Sequence, residues 1–140
     1  MNVNEIGQAE IEIIRCLQPE HFKDEINILS SLQESEEFHD RKTAKQRNFS
    51  LKKCGSLYRL DPFLDSNGIL REGGRLRRAI VSENVKHPVI LPRKSHITYL
   101  ILKHCQEETQ LQGYGMTHNE VHQRGYWIIW WHFCRLSFCF

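Results

Sequence analysis

The stretch SLYRLDPFLDSNGILREGGRLRRA, residues 56–79, decides how the rest of this chain is read. Leu57, Tyr58, Leu60 and Phe63 run up to the tetrad Asp65-Ser66-Asn67-Gly68, and Ile69 and Leu70 follow it. Asn and Gly tolerate the positive φ of a tight turn, so a turn between two apolar runs predicts a β-hairpin over 57–72. Gly73-Gly74 ends the return strand and leads into Arg75, Arg77 and Arg78. That basic cluster suits either a solvated sheet edge or a rim that meets a polyanion. HPVILP, residues 87–92, then reads as a short buried strand bracketed by Pro88 and Pro92, since proline is tolerated at strand ends.

Helices are expected on both sides of this β region. Ser95 can cap a helix near 95–108, in which Ile97, Ile101 and His104 form one stripe. His104 is therefore placed on or beside the core face, with Cys105 pointing elsewhere. Thr117 can cap a further helix over 117–124, where His118 and His122 share a face at i, i+4 and Gly125 supplies the stop. Tyr126 to Ile129 continue as an apolar segment that packs back on the helices. Upstream, Ile6, Ala9, Ile13, Ile14 and Leu17 recur at helical steps, and Pro19 can open a second helix carrying Phe22, Ile26, Leu29 and Leu32. Residues 33–52 are charged and almost without apolar periodicity, which predicts a poorly ordered linker. This stretch and the residue after it hold Lys42, Lys45, Arg47, Lys52 and Lys53, candidates with Arg75, Arg77 and Arg78 for weak backbone contact with nucleic acid.

The fold class expected is α+β. A helical segment and charged linker occupy 1–52, a β-hairpin region 53–92, and a small helical unit 93–140. At 140 residues and 40% apolar content only a modest core is available, and a net charge of +2 leaves any polyanion binding to local patches. The N-terminus lacks a basic start followed by an apolar run, and the apolar tail after Tyr126 is short and interrupted by His132 and Arg135. Neither a secretory signal nor a membrane anchor is expected, and the compartment expected is intracellular, nuclear or cytoplasmic. The 5 cysteines then read as free thiols or metal ligands, with Cys16 and Cys54 isolated. No Gly-x-Ser-x-Gly is present, and the acid clusters Glu10-Glu12, Glu34-Glu37 and Glu107-Glu108 lack an apolar pocket or a nucleophile pattern. Neither catalysis nor a small-molecule substrate is expected.

Four stretches in order carry a family resemblance: AEIEIIRCLQPEHFKDEINIL, LYRLDPFLDSNGILREGGRLRRA, KHPVILPRKSHITYLILKHCQEET and QGYGMTHNEVHQRGYWII. Together they resemble the part of BEL/Pao-type retrotransposon polyproteins that leads into and includes the integrase zinc-binding domain, over about residues 5 to 129. The resemblance implies a small helical bundle around one zinc, with two histidines ahead of a Cys-x2-Cys pair. His104 matches the first histidine, but Leu111 stands in the place of the second, and leucine has no lone pair to donate. After Ile129 the family pattern turns through Gly-Gly, where this chain has Trp130-Trp131. Tryptophan has only the codon TGG, so moving the frame one base forward forces two glycine codons there. A frameshift accounts for the loss of the cysteine pair and for the aromatic tail, leaving the zinc-binding-like unit incomplete after 129.

The resemblance implies that intact relatives bind zinc, help integrase protomers multimerise and contact DNA ends, while the three-carboxylate catalytic core lies downstream. The expected function is a non-catalytic fragment of such an integrase, without zinc held in the family's manner. Two alternatives stand beside it. One is an active zinc-dependent DNA-binding domain with a substitute site from His104, His118, His122 and Cys134; the other is a host-retained scaffold acting through the 1–52 helices.

Overall fold

The computed structural model describes residues 3–33, 41–55, 57–73, 79–110 and 113–129. Its centre is a four-stranded sheet in the order β1 (Pro62–Leu64), β2 (Leu70–Glu72), β3 (Val89–Leu91) and β4 (Tyr126–Ile128). Around it are six helices among the described residues: α1 (Val3–His21), α2 (Lys23–Gln33), α3 (Arg41–Cys54), the short α4 (Glu83–Lys86), α5 (His96–Glu108) and α6 (Tyr114–Gln123). No described helix is long and apolar enough to cross a membrane.

The hairpin forms as its turn chemistry requires. β1 and β2 are antiparallel with Leu64 opposite Leu70, and Gly68 takes φ 75°. Asp65 organises the turn: its Oδ1 accepts from the backbone N–H groups of Asn67 and Ile69 at 2.9 and 3.0 Å, while its Oδ2 accepts from Arg71 Nε at 2.7 Å. The strands are shorter than the sequence predicts. Leu57–Leu60 coils into a single 3-10 turn that puts Leu57 into the core and half-buries Tyr58 and Leu60. Apolar residues that look like a strand can equally fill a core from a tight turn.

β3 is buried at all three positions, because it is an inner strand with helices on both sides. It pairs antiparallel with β2 through Arg71 and Val89, and parallel with β4 in the register Val89–Tyr126, Ile90–Trp127 and Leu91–Ile128. The segment read as an apolar run packing on helices is thus a strand, and α5 and α6 form the crossover between two parallel neighbours.

Alternation along the strands divides the core in two. Ile69, Val89, Leu91 and Ile128 meet Ile14 and Leu17 of α1, Cys105 of α5 and Val121 of α6. Leu64, Leu70 and Ile90 meet Phe22, Leu29 of α2, Leu51 of α3 and Leu57.

Between β2 and β3, where only one residue pair is in register, α1 inserts Gln18, which is 1% exposed. Its Nε2 donates to the carbonyls of Leu70 and Ile90 at 2.9 and 2.8 Å, and its Oε1 accepts from Leu70 N at 2.8 Å. A side-chain amide with both donors and its acceptor in use replaces part of a ladder.

Three further expectations are corrected. Pro19 lies inside the last turn of α1 and does not open α2, which starts at Lys23 after the buried Phe22; lacking an N–H, it leaves the carbonyl one turn earlier without its helical donor, and the helix ends within two residues of it. Residues 41–52 of the expected linker are helix, which continues to Cys54: Leu51 is 0% exposed, and Arg47 is ion-paired with Asp61 across the fold. One deeply buried leucine and one ion pair anchor a sequence whose periodicity is otherwise weak. Residues 34–40 lie outside the described residues. Finally, α6 begins at Tyr114 behind Gly113, and Thr117 is inside it, its hydroxyl donating to the Gly113 carbonyl at 3.2 Å. Ser95 does cap α5, accepting from Ile97 N at 3.2 Å, and Gly125 does end α6 at φ 85°.

Candidate functional site

His104 lies on the exposed side of α5. The buried positions of that helix are Thr98 and Cys105, flanked by the partly buried Ile97, Ile101 and Leu102. Its axis of burial therefore runs one residue later than the 97–101–104 stripe, so Cys105 enters the core and His104 leaves it. Burial pushes the Cys105 thiol above its ordinary range, which keeps it protonated and unreactive.

Among the described residues no group of three or more His, Cys, Asp or Glu is placed to hold an ion. His104, His118 and His122 thus do not meet as three. Leu111, Cys134 and Cys139 lie outside the described residues.

What α6 does bring together is its own histidine pair. The helical repeat stacks His118 over His122, with ring centroids 4.5 Å apart and planes at 56°. Trp127 of β4 sets its ring edge-to-face against His122 at 4.6 Å, and Tyr114 lies 5.8 Å from His118. Leu102, Thr117, Val121 and Ile128 complete the wall of this small pocket. Burial pushes both imidazoles below their ordinary range, and for His122 the neighbouring His118 adds to the effect. The pair is therefore neutral at physiological pH, with lone pairs available.

The basic candidates separate. Lys45, Lys52 and Lys53 are exposed on α3, while Arg47 is half-buried and held by Asp61. Arg47 is thus a brace between α3 and the hairpin. The side chain of Lys42 and all of Arg75, Arg77 and Arg78 lie outside the described residues. Sequence reasoning missed Phe49, which is 63% exposed and carries Lys53 Nζ 4.8 Å from its ring centroid. Lys45, Phe49 and Lys52 stand at i, i+4 and i+7, on the side of α3 away from Leu51. An exposed aromatic among lysines at helical spacing is the available signal, and it suits a polyanion with flat bases.

Comparison with protein-family models, curated proteins and solved structures finds no match for the chain in any of the three.

Proposed function

We propose that the chain is a non-catalytic interaction module, derived from the integrase zinc-binding region of a BEL/Pao-type retrotransposon and degenerate at its metal site. The observation that carries this reading is the exposed Lys45–Phe49–Lys52 face of α3, held by a helix that Leu51 and Arg47 dock firmly to the sheet. Such a face contacts a nucleic-acid backbone without reading sequence, as lysines release counterions and an aromatic ring stacks on any base. The four stretches that resemble the retrotransposon region supply α1 and α2, the hairpin, β3 with α5, and α6 with β4, and they share one two-sided core.

The test combines three measurements on the full chain. Fluorescence anisotropy with short DNA should give weak binding that falls steeply between about 50 and about 200 mM salt. Metal analysis should find less than one zinc per chain, and a strand-transfer assay with magnesium or manganese should show no product. Tight binding at physiological salt, unchanged when Lys45, Lys52 and Lys53 are replaced by glutamine, would overturn the proposal, as would joined DNA ends.

A protein-interaction scaffold acting through the N-terminal helices is the second reading. It is favoured by Ile6 and Ile13, which stand seven residues apart on α1 at 53% and 48% exposure. Concentration-dependent self-association weakened by Ile6→Ser and Ile13→Ser would support it.

A further inference from the structure

His118 and His122 are an isolated pair of neutral imidazoles on one face of a helix, and their spacing matches a chelate. A ring nitrogen bound to a first-row divalent ion at about 2.0–2.1 Å leaves the ring centroid about 3.2 Å from the ion. Two such rings at about 90° to 110° around one ion have centroids about 4.5 to 5.2 Å apart, from the same bond length. The observed separation is 4.5 Å. The two rings already lie at a distance a shared ion would set.

The surroundings suit such an ion. Among the described residues the pocket wall of Leu102, Tyr114, Thr117, Val121 and Ile128 contains no carboxylate, so the donor set there is the borderline nitrogen of imidazole and not the oxygen cage that calcium or magnesium needs. Trp127 braces the His122 ring from its edge, which limits the rotamers that chelation must freeze. Both side chains are partly buried and partly open, so an ion can reach the pair from solvent.

We propose that His118 and His122 form a two-imidazole site for a divalent transition ion of the copper, nickel or zinc class. The remaining coordination positions stay open to water or to a donor from another molecule. Copper(II) should bind tightest and magnesium not at all, following ligand softness and the ordinary order of divalent affinities. The site uses neither His104 nor the Leu111 position, so it stands or falls apart from the retrotransposon reading.

The geometry supplies its own reporter. The chain has 3 tryptophans, and Trp130→Phe with Trp131→Phe leaves Trp127, in contact with His122, as the sole indole. Copper(II), nickel(II), zinc(II) and magnesium(II) are titrated in turn into this full-length variant while indole emission is followed. Expected are saturable quenching by copper at one ion per chain and no response to magnesium. His118→Gln and His122→Gln should each weaken copper binding at least tenfold, and His104→Gln should leave it unchanged. Should either pocket variant lose its fold by circular dichroism, the wild-type chain decides the matter. Substoichiometric copper should broaden the imidazole NMR signals of His118 and His122 before those of any other histidine. Broadening that begins elsewhere, binding indifferent to both pocket substitutions, or binding lost in His104→Gln would overturn the proposal.

Discussion

The two sides of the sheet are built from the same strands but from different chemistry. On the side of α2 and α3 the contacts are aliphatic and aromatic, from Phe22, Leu29, Leu51, Leu57, Leu64, Leu70 and Ile90. On the side of α1, α5 and α6 the aliphatic core is bordered by Thr98, Cys105 and Thr117, and the histidine pair lies at its edge. Even the titratable groups oppose each other. Glu25 of α2 has its carboxyl pushed up by burial, whereas His118 and His122 of α6 are pushed down by burial. One side mainly holds the fold together, and the other can respond to its surroundings.

The strongest way to break the comparison is to remove what the two sides share. Gln18→Ala strands Leu70 N–H and the carbonyls of Leu70 and Ile90 in the core. At about 1–3 kcal/mol for each of these three groups, urea denaturation should show a loss of at least about 3 kcal/mol. Leu51→Ala acts on one side alone and should cost about 2–5 kcal/mol through the cavity it leaves. Amide exchange should then rise throughout α3 while α5 and α6 keep their protection.

Acid and base sharpen the contrast. The two histidines have folded values below their unfolded value of 6.5, so their contribution is fully present above that pH and declines as pH falls through the lowered folded values. His122→Phe should flatten the thermal-melt profile in that window. Glu25 has the opposite sign: its folded value lies above 4.5, so stability is full below 4.5 and is lost as pH rises through the raised value. Glu25→Gln should raise the melting temperature at neutral pH, and should not do so at pH 4. The smallest effect expected is on binding: Phe49→Ala, on an exposed ring, should weaken single-stranded DNA affinity by about 1–3 kcal/mol and leave the melt unchanged.

Local chemistry was legible in the sequence, and long-range commitments were not. The Asp65–Gly68 turn, the Ser95 cap, the proline-bracketed β3 and the Gly125 stop each depend on a few adjacent residues, and all appear where expected. Leu51 is a lone apolar residue in a charged helix, and nothing near it in the chain says that a sheet awaits it. Gln18 sits in a polar-looking position whose partners are far away in sequence. β4 is too short to display alternation, and its parallel pairing with β3 depends on a two-helix crossover. For the candidate site, the i, i+4 spacing of His118 and His122 was visible, but Trp127 closing over the second ring was not. His104 was placed on the wrong side of its helix because a three-residue stripe defines a helical face only to within one position.

The glutamine between β2 and β3 also dates the assembly of the fold. Its bonds join positions 52 and 72 residues apart, and the full set of three closes only when the hairpin and β3 lie side by side. The hairpin turn, closed within a few residues, is available much earlier. In stopped-flow experiments Gln18→Ala should therefore speed unfolding while leaving the refolding rate almost unchanged. Asp65→Ala, by contrast, should slow refolding. The amide of Gln18 acts as a latch that closes last, and the lifetime of the native state depends on it more than the speed of reaching that state does.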